Sequence, residues 1–286
     1  MIVTYEMPAL RLALGFFLAA IAAGLAHRLR SLNRSGALAA TLVGTVIFGM
    51  GGLPWAIVLL TFFVTSSGLS RAFRRRKQNA EEKYAKGHER DAGQVFANGG
   101  VAALFALLHG FFPQAAWPWL GFAGALAAVN ADTWATELGV LNPHPPRRIT
   151  DLRQTVEPGS SGGVSPLGTA AALAGSALIA TLAVLLAPTG AGLAWKQGPA
   201  PGLLWLAITL AGWIGSLIDS LLGATVQAMY YCPQHQKETE RHPIHTCGAP
   251  TRFLRGWPWL NNDGVNALCS LMGAGLALLS LLYVML

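Results

Sequence analysis

Charge is what this chain has least of. Asp, Glu, Lys and Arg make up 12% of its 286 residues, against roughly 25% in soluble domains. With a mean hydropathy of +0.45, that scarcity excludes an ordinary soluble fold. Cysteine is nearly as rare, and three residues exclude a disulfide framework. No GxxxxGK[ST] stretch is present, which excludes the common phosphate-binding P-loop. The first apolar run, 9–26, lacks a basic leader and a small-residue cleavage site, so it reads as a retained helix and not a secretory signal. Neither a soluble domain nor a long internal repeat is evident.

Apolar runs long enough to cross hydrocarbon take the place of what is missing. Eight can be read, at 9–27, 36–51, 54–70, 93–112, 117–140, 166–187, 202–228 and 264–286. The pattern predicts an all-α fold: one polytopic membrane domain, a transmembrane bundle of about seven or eight spans. The tight turn after 36–51 leaves that run open to a re-entrant or broken helix. The loops 28–35, 71–92, 141–165 and 229–263 hold 18 of the 20 Lys and Arg. The positive-inside rule makes them cytoplasmic, with both termini outside, in a cell (inner or plasma) membrane. The basic charge therefore reads as topology and attraction to anionic lipid or nucleotide, with no nucleic-acid partner. Cys232 and Cys247 fall on that reducing side.

Against this background, Asp132, Glu137 and Asp219 stand out. Each lies in an apolar run, where an ionised group costs roughly 2.5–3.5 kcal/mol on insertion scales, so such groups face a cavity, a partner or an ion. Asp132 with Thr136, and Thr133 with Glu137, are pairs four residues apart on one helix side. Oxygen ligands of this kind suit Mg²⁺ shared with substrate phosphates. On the seventh run Gly212, Ser216, Asp219, Ser220, Gly223 and Gln227 form one stripe, with glycines for close packing and Asp219 and Gln227 for function. Asp91, Gln94 and Asn98 enter the fourth run on one face beside Arg90, which favours a cavity over lipid.

Two loops complete the candidate site. Residues 158–164 (PGSSGGV) precede the sixth run, and backbone amides in such a turn cradle anions, with Arg147, Arg148 and Arg153 adding charge. Asn261, Asn262, Asp263 and Asn266 cluster at the entrance of the eighth run, where Asn262 or Asp263 could also serve as a helix cap. Separately, Cys232 and His235, with His245 and Cys247, have the hairpin spacing of a structural Zn²⁺ site, His242 being a spare candidate.

Taken together, GHERDAGQVFANGG (87–100), NADTWATELG (130–139), VEPGSSGGVSPLG (156–168), DSLLGATVQ (219–227), YYCPQH…HTCG (230–248) and WLNNDGVN (259–266) resemble the integral membrane family DUF92. That family includes TMEM19 proteins and phytyl-phosphate kinases. Many relatives have Cys in place of His235. The resemblance implies an Mg²⁺-dependent kinase transferring the terminal phosphate of CTP, or another nucleoside triphosphate, to an isoprenyl monophosphate. Asp132, Glu137, Asp219 and Asp263 would hold Mg²⁺. Ser160, Ser161, Gly162 and Gly163 would cradle phosphates, with Arg90 and an arginine of 147–153 offsetting charge. Asn98, Asn130, Gln227, Asn261, Asn262 and Asn266 would complete the nucleotide and phosphate contacts. A lipid-phosphate cytidylyltransferase and an ion-coupled transporter are the alternatives.

Overall fold

The computed structural model describes residues 8–73, 89–187 and 201–285. Most of the basic stretch 71–77, the start of the 87–100 motif, and Lys196 lie outside them. Eight long helices follow in order: α1 Pro8–Arg28, α2 Arg34–Val46, α3 Leu53–Ala72, α4 Ala92–Phe111, α5 Trp117–Gly139, α6 Pro166–Leu185, α7 Pro201–Thr225 and α8 Asn262–Met285. The chain is a multi-pass helical membrane protein. Large apolar side chains on the bundle's exterior, such as Leu14, Phe17, Ile21, Leu38, Val64 and Leu203, are exposed. On a helical membrane protein this is the surface that meets lipid.

The doubtful second run is a helix that changes pitch. α2 passes into a π-helical turn, Ile47–Gly51, and Gly52 then reverses the chain with φ +79°, leading into α3 with Pro54 in its first turn. Apolar length is therefore reached by α2 and the π turn together, over Arg34–Gly51.

Among the described residues, seven helices are long and apolar enough to cross a membrane; α5, the expected span 117–140, is long enough but less apolar than those seven. Its second half carries Asn130, Asp132, Thr133, Thr136 and Glu137, which dilute its hydropathy. At 1.5 Å per residue its 23 residues still reach about 35 Å. It tolerates polar groups because it runs through the middle of the bundle, against α3, α4, α6, α7 and α8, with little surface left for lipid. Every residue from Pro118 to Ala131 is buried.

Small residues make that central position possible. A Cβ added to Gly124 would lie 2.5 Å from the Gly273 carbonyl oxygen, and one on Gly212 would lie 2.6 Å from the Ala127 Cβ. These helices cross with no room for a methyl group. At the opposite end from the polar loops, Trp55, Trp119 and Phe122 pack as an aromatic cluster with ring centroids 4.5–5.5 Å apart. The Trp119 indole N–H donates to the Ala183 carbonyl at 3.0 Å.

Among the described residues, the two sheets lie in two loops. The 141–165 loop folds as β1 (Arg147–Arg148), β2 (Asp151–Thr155) and β3 (Gly163–Val164), in the order β2-β1-β3. The loop after α7 folds as β4 (Met229–Cys232), β5 (Lys237–Thr239) and β6 (Arg252–Arg255), in the order β5-β4-β6. Both sheets are antiparallel. The second is fastened to the bundle by Arg255, whose guanidinium donates to the Gly223 and Ala224 carbonyls at 3.1 and 2.8 Å. A cation at the C-terminal carbonyls of α7 satisfies acceptors that the helix leaves open.

Candidate functional site

The ends of α3, α5 and α7 and the beginnings of α4, α6 and α8 meet at one end of the bundle, around a cavity of about 750 Å³. The local caps explain how these helix starts hold their polar side chains in place. Asp91 and Gln94 form a reciprocal capping box at the start of α4. Ser165 caps α6 through the Gly168 amide at 3.1 Å. Asn261 caps α8 through the Gly264 amide at 3.0 Å. The cap of α8 is thus Asn261, one residue before the expected Asn262 or Asp263, so Asn262, Asp263 and Asn266 remain to line the cavity.

The Asp132 and Asp219 side chains meet in this cavity, and Glu240 completes a group of three acids around Asp219. The Asp219 Oδ2 is buried and accepts no hydrogen bond. Glu240 also accepts from the Gln227 side-chain amide at 2.9 Å and from the Ser161 hydroxyl at 3.2 Å. Carboxylates brought this close at a membrane edge repel one another unless a cation or a shared proton sits among them. Asp132, Asp219 and Glu240 form a donor set that fits Mg²⁺, and the expected Asp263 lines the same cavity. Glu137 sits differently: Ser70 donates to its Oε1 at 2.7 Å, and its charge acts on Arg90.

Arg90 is held rigidly. Its amide donates to the Ser31 carbonyl at 3.0 Å, and its carbonyl accepts from Asn33 at 3.1 Å. Its guanidinium lies over the Phe62 and Phe63 rings at 5.7 and 5.9 Å. Burial pushes that guanidinium below its ordinary pKa, and the Glu137 carboxylate opposes the shift.

The Gly-Ser turn packs directly on α7. Gly162 has φ +81°, and a Cβ there would lie 2.4 Å from the Ala224 Cβ, so the sequence needs glycine for both conformation and space. Ser160, Ser161, Gly162 and Gly163 all line the cavity. Two amides of the turn are used within it. Ser160 N–H donates to the Glu157 carbonyl and Gly163 N–H to the Ser160 carbonyl, at 3.1 and 3.0 Å. Those two amides close the turn.

Several expected ligands lie elsewhere. Asn130 is fully buried beneath the cavity. Its amide donates to the Gly175 carbonyl at 2.8 Å, and its oxygen accepts from Thr65 and Ser66. It ties α3, α5 and α6 together, because a buried amide must satisfy both of its ends. Arg147, Arg148 and Arg153 belong to the β1–β2 ribbon and do not line the cavity. Arg147 donates to the Leu152 carbonyl at 2.6 Å, and Arg153 is exposed. Gln227 does line it, from just beyond the end of α7 and not from the helix face. Asn98, on α4, lines it as well.

Glu240, Arg241, Tyr230 and Ser70 line the cavity but are invisible as site residues in the sequence. Arg241 carries a buried Nε with no acceptor. In the sequence, Glu240 and Arg241 look like any charged loop pair. Their nearness to Cys232 and His245 is the one signal that could have singled them out.

Cys232, His235, His245 and Cys247 bring one ligand atom each within 4.8 Å of all the others. The two sulfurs are 3.7 Å apart, Cys232 Sγ is 3.8 Å from His235 Nδ1, and Cys247 Sγ is 3.3 Å from His245 Nδ1. Burial tends to raise the Cys232 thiol, but hydrogen bonds involving the His235 backbone and ring, Cys247 and the Gln234 backbone bring it down to about 7.

With this geometry in hand, the similarity to known proteins can be weighed. The sequence matches the family described as integral membrane protein DUF92 over residues 17–274. The chain belongs to that family. It is 30% identical to Protein PGR of Arabidopsis thaliana, over 97% of this chain and 98% of that one. It is also 30% identical to an uncharacterized membrane protein of Methanocaldococcus jannaschii, over 75% of this chain and 83% of the other. A 28% identical membrane protein of Synechocystis covers 84% and 78%. No solved structure matches the chain. The match runs from midway along α1 to midway along α8 and so takes in every residue that lines the cavity.

Proposed function

We propose that this DUF92 protein is a nucleoside-triphosphate-dependent isoprenyl-phosphate kinase, with CTP as the expected donor. The observation that carries the reading is the convergence of Asp132, Asp219 and Glu240 with Arg90 and Arg241 in one cavity at the end of a lipid-facing bundle. Acids that hold a divalent cation and arginines that hold phosphate are what two polyanionic substrates need in order to approach each other.

Asp132, Asp219 and Glu240 would hold Mg²⁺, which when bound would offset the charge of the substrate phosphates. Arg90 is preset by its backbone pairing and by Glu137, so it can hold a phosphoryl group without reorganising, which is how such a site stabilises charge developing in transfer. Arg241 brings a second cation from the opposite wall. Ser161 and the Gly162 region, with Asn262 and Asn266, supply neutral contacts to phosphate and sugar. An oxygen of the isoprenyl monophosphate attacks the terminal phosphorus of the donor. The bond from that phosphorus to the bridging oxygen breaks, and the nucleoside diphosphate leaves. The attacking oxygen is already anionic at neutral pH, so no general base is required. The isoprenyl chain would lie among the helices, and by the positive-inside rule the basic loops support a cavity on the cytoplasmic side. The buried run Trp119–Ala131 fills the bundle beyond the cavity, which argues against a through-passage and hence against transport.

The test uses purified protein in detergent with Mg²⁺, geranylgeranyl or phytyl monophosphate, and CTP labelled at the γ-phosphate. Label in a lipid diphosphate is the expected result. Label in lipid only from α-labelled CTP would replace the kinase with a cytidylyltransferase. No labelled lipid from either, with solute uptake into vesicles, would replace both with a transporter.

A further inference from the structure

We propose that Cys232, His235, His245 and Cys247 hold one structural Zn²⁺, and that this ion fixes Glu240–His242 as a wall of the cavity. The ligand geometry is the first support. Two sulfurs each about 2.3 Å from a tetrahedral zinc lie about 3.8 Å apart, and a sulfur and an imidazole nitrogen lie about 3.6 Å apart. The observed separations of 3.7, 3.8 and 3.3 Å match those edges closely, although no covalent bond joins the four side chains. Three free cysteines and no disulfide are present among the described residues. The donor set, two thiols and two imidazoles, is that of closed structural zinc sites.

The way the chain delivers these ligands is the second support. Cys232 ends β4 and His235 lies in the turn that follows, where Gln236 adopts φ +51°. His245 and Cys247 come from a second tight turn, closed by Gly248 N–H donating to the His245 carbonyl at 2.9 Å. Two short turns meeting at one point form a knuckle, yet the strands behind them are only four and three residues long. So small a unit has too little core to hold itself together, and a metal commonly supplies the missing stability.

The connection to the cavity is direct. Residues 236–244 run from one ligand pair to the other, and an ion bound by both pairs closes that segment at its two ends. It carries Glu240, which accepts from Gln227 and Ser161, and Arg241, which lines the cavity. It also carries His242, whose ring stacks on Tyr230 with centroids 4.4 Å apart. The ion would thus act at a distance from the substrates, as a positioning device and not a catalytic one. The proposal does not rest on the transfer reaction, because its first readout is metal content.

The full-length protein, purified in detergent under reducing conditions without chelator, should contain about one zinc per chain. Cys232→Ser with Cys247→Ser should lose it, and His235→Cys should keep it, since a thiolate serves equally well. Chelation of the wild-type protein should release the zinc, free two titratable thiols, and speed hydrogen exchange several-fold in peptides covering 229–248, with α7 peptides unchanged. If the double variant does not fold, the chelation arm and His235→Cys decide the matter. Metal-free protein with native exchange protection, a Cys232–Cys247 disulfide, or zinc retained by the double variant would overturn the site. Zinc loss without faster exchange would overturn its bracing role.

Discussion

The close packing of the Gly-Ser turn on α7 can be tested by a single methyl group. Gly162 and Gly52 both have positive φ, +81° and +79°. Alanine at either position costs about 1–3 kcal/mol of backbone strain. They differ in surroundings. A Cβ at Gly52 meets nothing within 4 Å, whereas one at Gly162 lies 2.4 Å from the Ala224 Cβ and 2.8 Å from the Ala224 nitrogen. Those atoms belong to the body of α7 and cannot rotate away. Overpacking of that kind adds about 1–3 kcal/mol, so Gly162→Ala should cost more than Gly52→Ala. Both variants and the wild type are to be heated in the same detergent at one scan rate, since membrane proteins commonly unfold irreversibly. Each kcal/mol should lower the midpoint by about 2–4 °C. Pushing the turn outward also separates Ser161 from Glu240, so Gly162→Ala should lower activity at a temperature where the protein is still folded, while Gly52→Ala should not. Equal midpoints for the two variants would show that the turn does not rest on α7, and the placement of Ser161 and Glu240 in one site would fall with it.

Asp219→Asn should abolish Mg²⁺-dependent turnover and remove the Mg²⁺-induced rise in melting temperature, with the metal-free protein no less stable than wild type because one repelling charge is gone. Arg241→Ala should reduce turnover by an order of magnitude or more, as loss of a phosphate-holding cation does, whereas Arg153→Ala, on the exposed ribbon, should leave steady-state rates unchanged. Asn130→Ala should destabilise the protein by about 1–3 kcal/mol, the cost of orphaned buried partners, while the protein that remains folded keeps its Km for nucleotide; a changed Km with normal stability would return Asn130 to the substrate site.

Much of this protein is legible along the chain because the membrane enforces simple rules. Hydrocarbon admits long apolar helices and little else, so α1, α3, α4, α6, α7 and α8 could be placed from hydropathy, and the basic loops alternate as topology demands. The same rules make Asp132, Glu137 and Asp219 conspicuous, since an acid in an apolar run needs a reason. The Cys and His residues of the knuckle are legible for a similar reason: few other uses exist for that set at that spacing.

The rest depends on contacts between distant parts of the chain, which hydropathy does not encode. Asn130 reads like a site residue beside Asp132, but the helix turns it toward Gly175, Thr65 and Ser66, where its amide is used up. Three arginines of the 141–165 loop read as phosphate ligands, yet the β1–β2 ribbon directs them away from the cavity. Glu240 and Arg241, ordinary in sequence, are carried into the site by a sheet fastened to the end of α7 through Arg255. By itself the sequence determined that the chain is a helical membrane protein and which intramembrane acids to suspect, because both follow from the cost of burying charge in hydrocarbon; its motifs carried the family resemblance. Only the tertiary structure decided which carboxylates come together and which arginines share their cavity, because that depends on where helix ends and loops meet across the bundle.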